Sequence, residues 1–174
     1  LVASYNTNQI LKYRGSDGAF LGVFVSNSNG ALRGPTDLVY GPDGRLYVSS
    51  YNNDKVLKYL ETTGQFLGMF VWAQSGGLDG PSGLRFGSDG HLYVASYFND
   101  KVLKYNGSNG AFIGMFVWAG SGNLDGPTYL TFGPDGYLYV SSYNNDAVKR
   151  YLGPGPNGGA PIGNGSFVPP NGIL

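Results

Sequence analysis

The chain is 174 residues long, and its eleven Lys and Arg balance eleven Asp and Glu, so it carries no basic field to hold nucleic acid or an anionic membrane. Thirty Gly and ten Pro interrupt helices while fourteen Tyr and ten Phe favour strands, and this aromatic content separates the chain from disordered Gly/Pro-rich sequences. Zero Cys excludes disulfides, thiolate nucleophiles and Cys-ligated zinc, the single His91 excludes a His cluster, and no apolar run is long enough for a membrane span.

The tripeptide SYN at Ser4, Ser50 and Ser142, with SYF at Ser96, recurs every 46 residues. It divides the chain into copies 1–45, 46–91, 92–137 and 138–174, and the second and third agree at 31 of 46 positions without a gap. Leu1 aligns with Tyr47, so the first copy starts inside a strand. The second copy predicts strands at Leu46–Tyr51, Lys55–Leu60, Gln65–Val71 and Gly83–Phe86, at the short spacing of all-β folds. The polar turns Asn52–Asp54 and Phe98–Asp100 join first strands to second ones. Asp-Gly within Gly41–Arg45, Gly87–His91 and Gly133–Tyr137 predicts tight hairpins between copies, which enforce antiparallel neighbours. In the fourth copy the Gly- and Pro-rich stretch from Gly153 runs three residues short of register, predicting a poorly formed outer strand at Ser166–Val168. The tail Pro169–Leu174 (PPNGIL) matches the start of an inner strand (GPSGLR, Gly80–Arg85).

Antiparallel four-stranded units of about 46 residues describe the blades of a β-propeller, either one domain over 1–174 or a segment of one. The stretches GPSGLRFGSDGHLYVASYFNDKVLKY (Gly80–Tyr105) and GPTYLTFGPDGYLYVSSYNNDAVKRY (Gly126–Tyr151) resemble the NHL-repeat propellers, closest to versions in bacterial secreted or surface proteins. The resemblance covers residues 1 to 151 and carries the fold, not an activity. NHL propellers commonly have six blades, which implies a segment of a larger ring. A closed four-bladed ring, completed by the tail as inner strand of the first blade, is the alternative.

By that resemblance the ligand face gathers the short turns and the long turns that enter inner strands. These present Tyr51 and Asn52, Tyr97 and Phe98, and Tyr143 and Asn144, with Trp72, Asp79, Trp118 and Asp125 from the long turns. Aromatic rings beside amide and carboxylate oxygens are the materials of a sugar-binding surface. The plainer reading has the tyrosines packing blade on blade and the asparagines capping hairpins. The first copy has Ser26 where the tryptophans stand. Inner-strand positions differ between copies: Thr36 and Asp37, then Ser82, Gly83 and Arg85, then Thr128 and Tyr129. Asp54, Asp100 and Asp146 supply one oxygen donor per turn, too few for a cation site unless blades pool them. Asp43, Asp89 and Asp135 read as turn formers, and no cofactor or metal is expected.

These features predict a non-catalytic extracellular or cell-surface binding module with a glycan or protein ligand. A structural surface protein that self-associates through its edges, or a fragment of a propeller lyase or lactonase, is the alternative.

Overall fold

A computed structural model describes residues 1–168 of the chain, in which strands alternate with turns and single 3-10 turns. The tail expected to form an inner strand lies outside the described residues. The first sheet holds β1 (Val2–Ser4), β2 (Gln9–Tyr13) and β3 (Phe20–Val25). The second holds β4 (Leu38–Tyr40), β5 (Leu46–Ser50), β6 (Lys55–Tyr59) and β7 (Phe66–Val71). The third holds β8 (Pro81–Phe86), β9 (Leu92–Ser96), β10 (Lys101–Tyr105) and β11 (Phe112–Val117). The fourth holds β12 (Pro127–Phe132), β13 (Leu138–Ser142), β14 (Ala147–Tyr151) and β15 (Pro161–Val168). All pairings are antiparallel between chain neighbours, as in propeller blades.

The Asp-Gly hairpins join inner strands to the next strand within one blade, so each blade straddles two sequence copies. Asp43 shows why the turn forms: its Oδ1 accepts the Arg45 N–H, while Gly44 adopts φ +76°. The first strand of each copy is shorter than predicted, because Tyr51, Tyr97 and Tyr143 open a 3-10 turn. The outer strand of the last blade differs more, starting at Pro161 rather than Ser166 and pairing Tyr151 with Pro161 and Lys149 with Ser166 through bulges.

The core lies between blades, not within them. Every residue of β5 (LYVSS) is buried, since Leu46 and Val48 face the first blade while Tyr47 faces the third. Each junction has the same makeup: Tyr47, Val56, Phe70, Val71 and Leu78 from one side meet Leu84, Leu92, Val94, Leu103 and Tyr105 from the other. A bulge opposite Val56 and Leu57 turns Phe70 onto Tyr47, ring centroids 4.7 Å apart, and the third blade repeats this with Phe116 and Tyr93 at 4.7 Å. The outer hairpins fit beneath these bulges only as glycine. A Cβ on Gly110 (φ +73°) would stand 1.8 Å from the Phe70 carbonyl oxygen.

Polar ties accompany the apolar junctions. The hydroxyls of buried Tyr59, Tyr105 and Tyr151 donate to the carbonyls of Asn29, Ser75 and Ser121 in the preceding long turns, at 3.0, 2.7 and 2.8 Å. The hairpin aspartates prove to be more than turn formers. Asp43 Oδ2 accepts from the Tyr47 hydroxyl at 3.1 Å and pairs with Lys58 at 2.7 Å, and Asp89 does the same with Tyr93 and Lys104 at 2.8 Å each. Burial alone would raise both carboxyls, yet these lysine and tyrosine donors and a turn N–H hold each below the usual carboxylate range.

The fourth blade breaks the pattern at one point. Lys149 occupies the place of the fully buried Leu57 and Leu103, is 3% exposed, and donates to the Ser166 hydroxyl at 3.1 Å. Burial pushes its pKa down. A lysine with a lowered folded pKa binds fewer protons folded than unfolded, so stability rises with pH between the two values. Lys149→Leu is therefore expected to raise stability by about 1–3 kcal/mol at neutral pH and to flatten that rise, as measured by thermal melts across the alkaline range.

Candidate functional site

Tyr51, Tyr97 and Tyr143 project from the 3-10 turns at one end of their blades, and Tyr5 occupies the matching place in the first. With Thr36, Ser82 and Thr128 from the inner strands they line an axial hollow of about 500 Å³ shared by all four blades. The phenol rings step around it, with centroids 6.1 Å apart for Tyr5 and Tyr51 and 6.0 Å for Tyr51 and Tyr97. Tyr143 is 66% exposed, whereas Tyr51 and Tyr97 are half-buried. Burial raises the Tyr51 pKa, reinforced by Tyr97, Tyr5, Asp79 and Asp54, so its hydroxyl keeps its proton and serves as a donor at neutral pH.

The other expected site residues separate from this hollow. Asn52 accepts the Tyr5 hydroxyl at 2.9 Å, and Asn144 accepts the Tyr97 hydroxyl at 3.4 Å while donating to Asp125 Oδ1 at 2.8 Å. Phe98, the equivalent of Asn52 and Asn144, packs on Tyr51 with centroids 5.5 Å apart. Tyr5, Tyr51 and Tyr97 thus each meet the turn of the next blade. Asp79 lies instead in a cleft of about 480 Å³ with Asp54, Gln74, Gly77 and Leu78. Trp72 and Trp118 stand on the rim, each 62% exposed. Trp118 borders a groove of about 560 Å³ with Met115, Phe116, Ser121 and residues of the 157–161 loop.

The turn aspartates act between blades. Asp54 and Asp100 adopt left-handed backbone (φ +57° each) and accept the N–H of Gly80 and Gly126 at 2.8 and 2.7 Å, and Asn8 accepts that of Gly34 at 2.7 Å. Among the described residues no group of three or more His, Cys, Asp or Glu comes together. His91 lies at the Asp-Gly hairpin end, beside Asp43, Asp89 and Asn106.

Beside the hollow the channel wall is not uniform. Asp37 immediately before β4, Arg85 of β8 and Tyr129 of β12 belong to three successive blades. Asp37 Oδ2 accepts the Leu84 N–H and Oδ1 the Leu38 N–H, both at 2.8 Å, and Arg85 Nη1 lies 3.6 Å from Oδ2. Burial raises the Asp37 pKa against the pull of these N–H groups and of Arg85. The Arg85 guanidinium rests 4.6 Å from the Tyr129 ring centroid. Sequence reasoning marked these positions as variable but did not join them. Their pairing depends on Gly83, whose Cβ would stand 2.9 Å from Tyr129 Cα, and that approach between strands is a tertiary property. Reasoning from sequence also missed the Asp43–Tyr47–Lys58 network and buried Lys149. The 46-residue alignment carries a signal for the latter, since Leu, Leu and Lys occupy one position.

Neither a protein-family model nor a curated protein matches the sequence. Among solved structures the chain is similar to virginiamycin B lyase from Staphylococcus aureus, with TM-score 0.62 and 18% identity over 85% of this chain and 46% of that one. A streptogramin B lyase gives 0.62 and 19% over the same shares. Kuenenia stuttgartiensis hydrazine synthase gives 0.56 and 22% over 71% of this chain and 34% of that one. The chain thus spans about half the length of the lyases it matches. At these identities the likeness shows the fold, a β-propeller. It also corrects the expectation of a non-catalytic module. Solved structures that share this fold include enzymes, the two lyases and the hydrazine synthase, so a scarcity of His and Cys in these four repeats was no ground for setting catalysis aside.

The acceptor role of Asp54 makes a specific demand, because Asn8 performs it unaided by charge. Asp54→Asn is expected to stay within about 0.5 kcal/mol of the parent, whereas Asp54→Ala loses about 1–3 kcal/mol, measured by denaturant unfolding.

Proposed function

We propose that the chain is the substrate-binding portion of a propeller lyase, with the substrate seated in the axial hollow. The observation that carries this reading is the hollow itself, to which each of the four blades contributes one tyrosine. Phenol rings offer apolar faces to a substrate and hydroxyls donate to its carbonyl oxygens, a combination suited to a large, partly apolar molecule. The fold shared with virginiamycin B lyase, whose catalytically inactive form has been solved with quinupristin, makes compounds of that kind the first to try. Incubation with virginiamycin B and with quinupristin, followed by mass-resolved chromatography and calorimetry, tests it. Saturable binding that weakens about tenfold in Tyr97→Ala, a loss of about 1.4 kcal/mol, supports the reading. Binding of neither compound, or binding indifferent to Tyr97, overturns it.

A second reading rests on the rim. Trp72 and Trp118 make no aromatic pair among the described residues and leave most of their surface open, as a glycan platform on an extracellular or surface protein requires. Such a subsite is compatible with an enzyme at the axis. Both tryptophans of the chain are in these positions, so their fluorescence reports sugar binding directly. A saturable change on adding oligosaccharides, halved in Trp72→Ala, is expected; an unchanged spectrum sinks this reading.

A further inference from the structure

We infer that Arg85, stacked on Tyr129 and braced by Asp37, forms a binding site for a neutral carbonyl group, that of an ester or amide, in the wall of the axial channel. This rests on the reading of the hollow as the substrate side and names the chemistry its ligand must carry. Asp37 and Tyr129 directly follow Thr36 and Thr128 of the hollow, and Arg85 lies three residues beyond Ser82. The copies diverge where this set is built: Asp37, Gly83 and Tyr129 share one repeat position, and Val39, Arg85 and Thr131 share another. Arg85 thus stands alone among its equivalents. Gly83 lets β12 pass close enough for Tyr129 to stack on Arg85, since a Cβ there would stand 2.9 Å from Tyr129 Cα.

Tyr129 is 44% exposed and the Arg85 side chain 25%, so both keep surface open to a ligand. Among the described residues Nη1 alone of the guanidinium nitrogens has partners, the Leu84 carbonyl at 2.8 Å and Asp37. A planar guanidinium held against a ring has its remaining N–H groups directed along its edge, where an oxygen acceptor is bound by charge-assisted hydrogen bonds. Asp37 decides which acceptor. Its carboxylate offsets the arginine charge and repels a second anion placed beside the same guanidinium, so a carbonyl oxygen is preferred to a carboxylate. The apolar part of such a ligand faces the tyrosines.

The test uses the 174-residue chain and two probes that share one frame, the neutral N-benzoylglycine methyl ester and the anionic N-benzoylglycine. The chain has five arginines, so side-chain Nε–H signals are resolvable by NMR, and the one missing in Arg85→Gln identifies Arg85. The expected result is a saturable shift of that signal with the ester and about tenfold weaker binding of the acid. Arg85→Lys, which keeps the charge beside Asp37 but loses the planar fork, is expected to bind the ester about tenfold more weakly, as is Tyr129→Leu. An Arg85 signal that stays still as ester is added overturns the inference, as does acid binding at least as tight as ester. Failure of virginiamycin B to bind, with the ester still shifting Arg85, removes the lyase reading and leaves this site standing. An unmoved Arg85 with virginiamycin B bound does the reverse.

Discussion

A tyrosine hydroxyl that must reach the preceding blade sets the terms for the rest of this molecule. Tyr59, Tyr105 and Tyr151 are fully buried between sheets, where an unpaired hydroxyl is costly, and each finds its acceptor in a carbonyl of the previous long turn. One blade therefore cannot satisfy its own polar atoms. The carbonyl is presented only if the long turn takes its tight path, and that path in turn places Gly80 and Gly126 against Asp54 and Asp100. Burial of the ring and placement of the upper loops are thus one requirement met at two ends of the blade.

This coupling explains why the hollow is regular and its wall is not. The tyrosines that line it are positioned at the blade junctions, ring against ring for Tyr5, Tyr51 and Tyr97 and hydroxyl against the next turn for Tyr5 and Tyr97. Inner-strand residues that face the channel carry no such duty. Thr36, Ser82 and Thr128 stay engaged with hydroxyls and carbonyls of their neighbours, while the following positions vary from Asp37 to Gly83 to Tyr129 without disturbing a junction. Chemistry accumulates where packing leaves room for it.

Much of the fold was legible because its signals are local. Asp-Gly marks hairpins by backbone conformation alone, and a 46-residue period marks blades whatever their partners. The outer strand of the last blade was read short because its Gly- and Pro-rich sequence lacks alternation, although pairing from β14 recruits it from Pro161 onward. The tyrosines of the candidate site were legible as repeated surface aromatics, but sequence could not sort them from Asn52, Asn144 and the tryptophans. That separation depends on which blade each side chain leans toward. Asp37, just before β4, and Arg85 in β8 lie 48 positions apart, and only the close passage of β8 by β4 brings them together.

The placement of the core between blades has a consequence for how such a chain can grow. Each strand carries one set of residues for its left neighbour and an alternate set for its right, so every 46-residue copy contains half of two junctions. An inserted copy meets on either side the same complementary surface that its parent met. Length can therefore change by whole units without new side chains, while any insertion that is not a whole unit puts both faces out of phase at once.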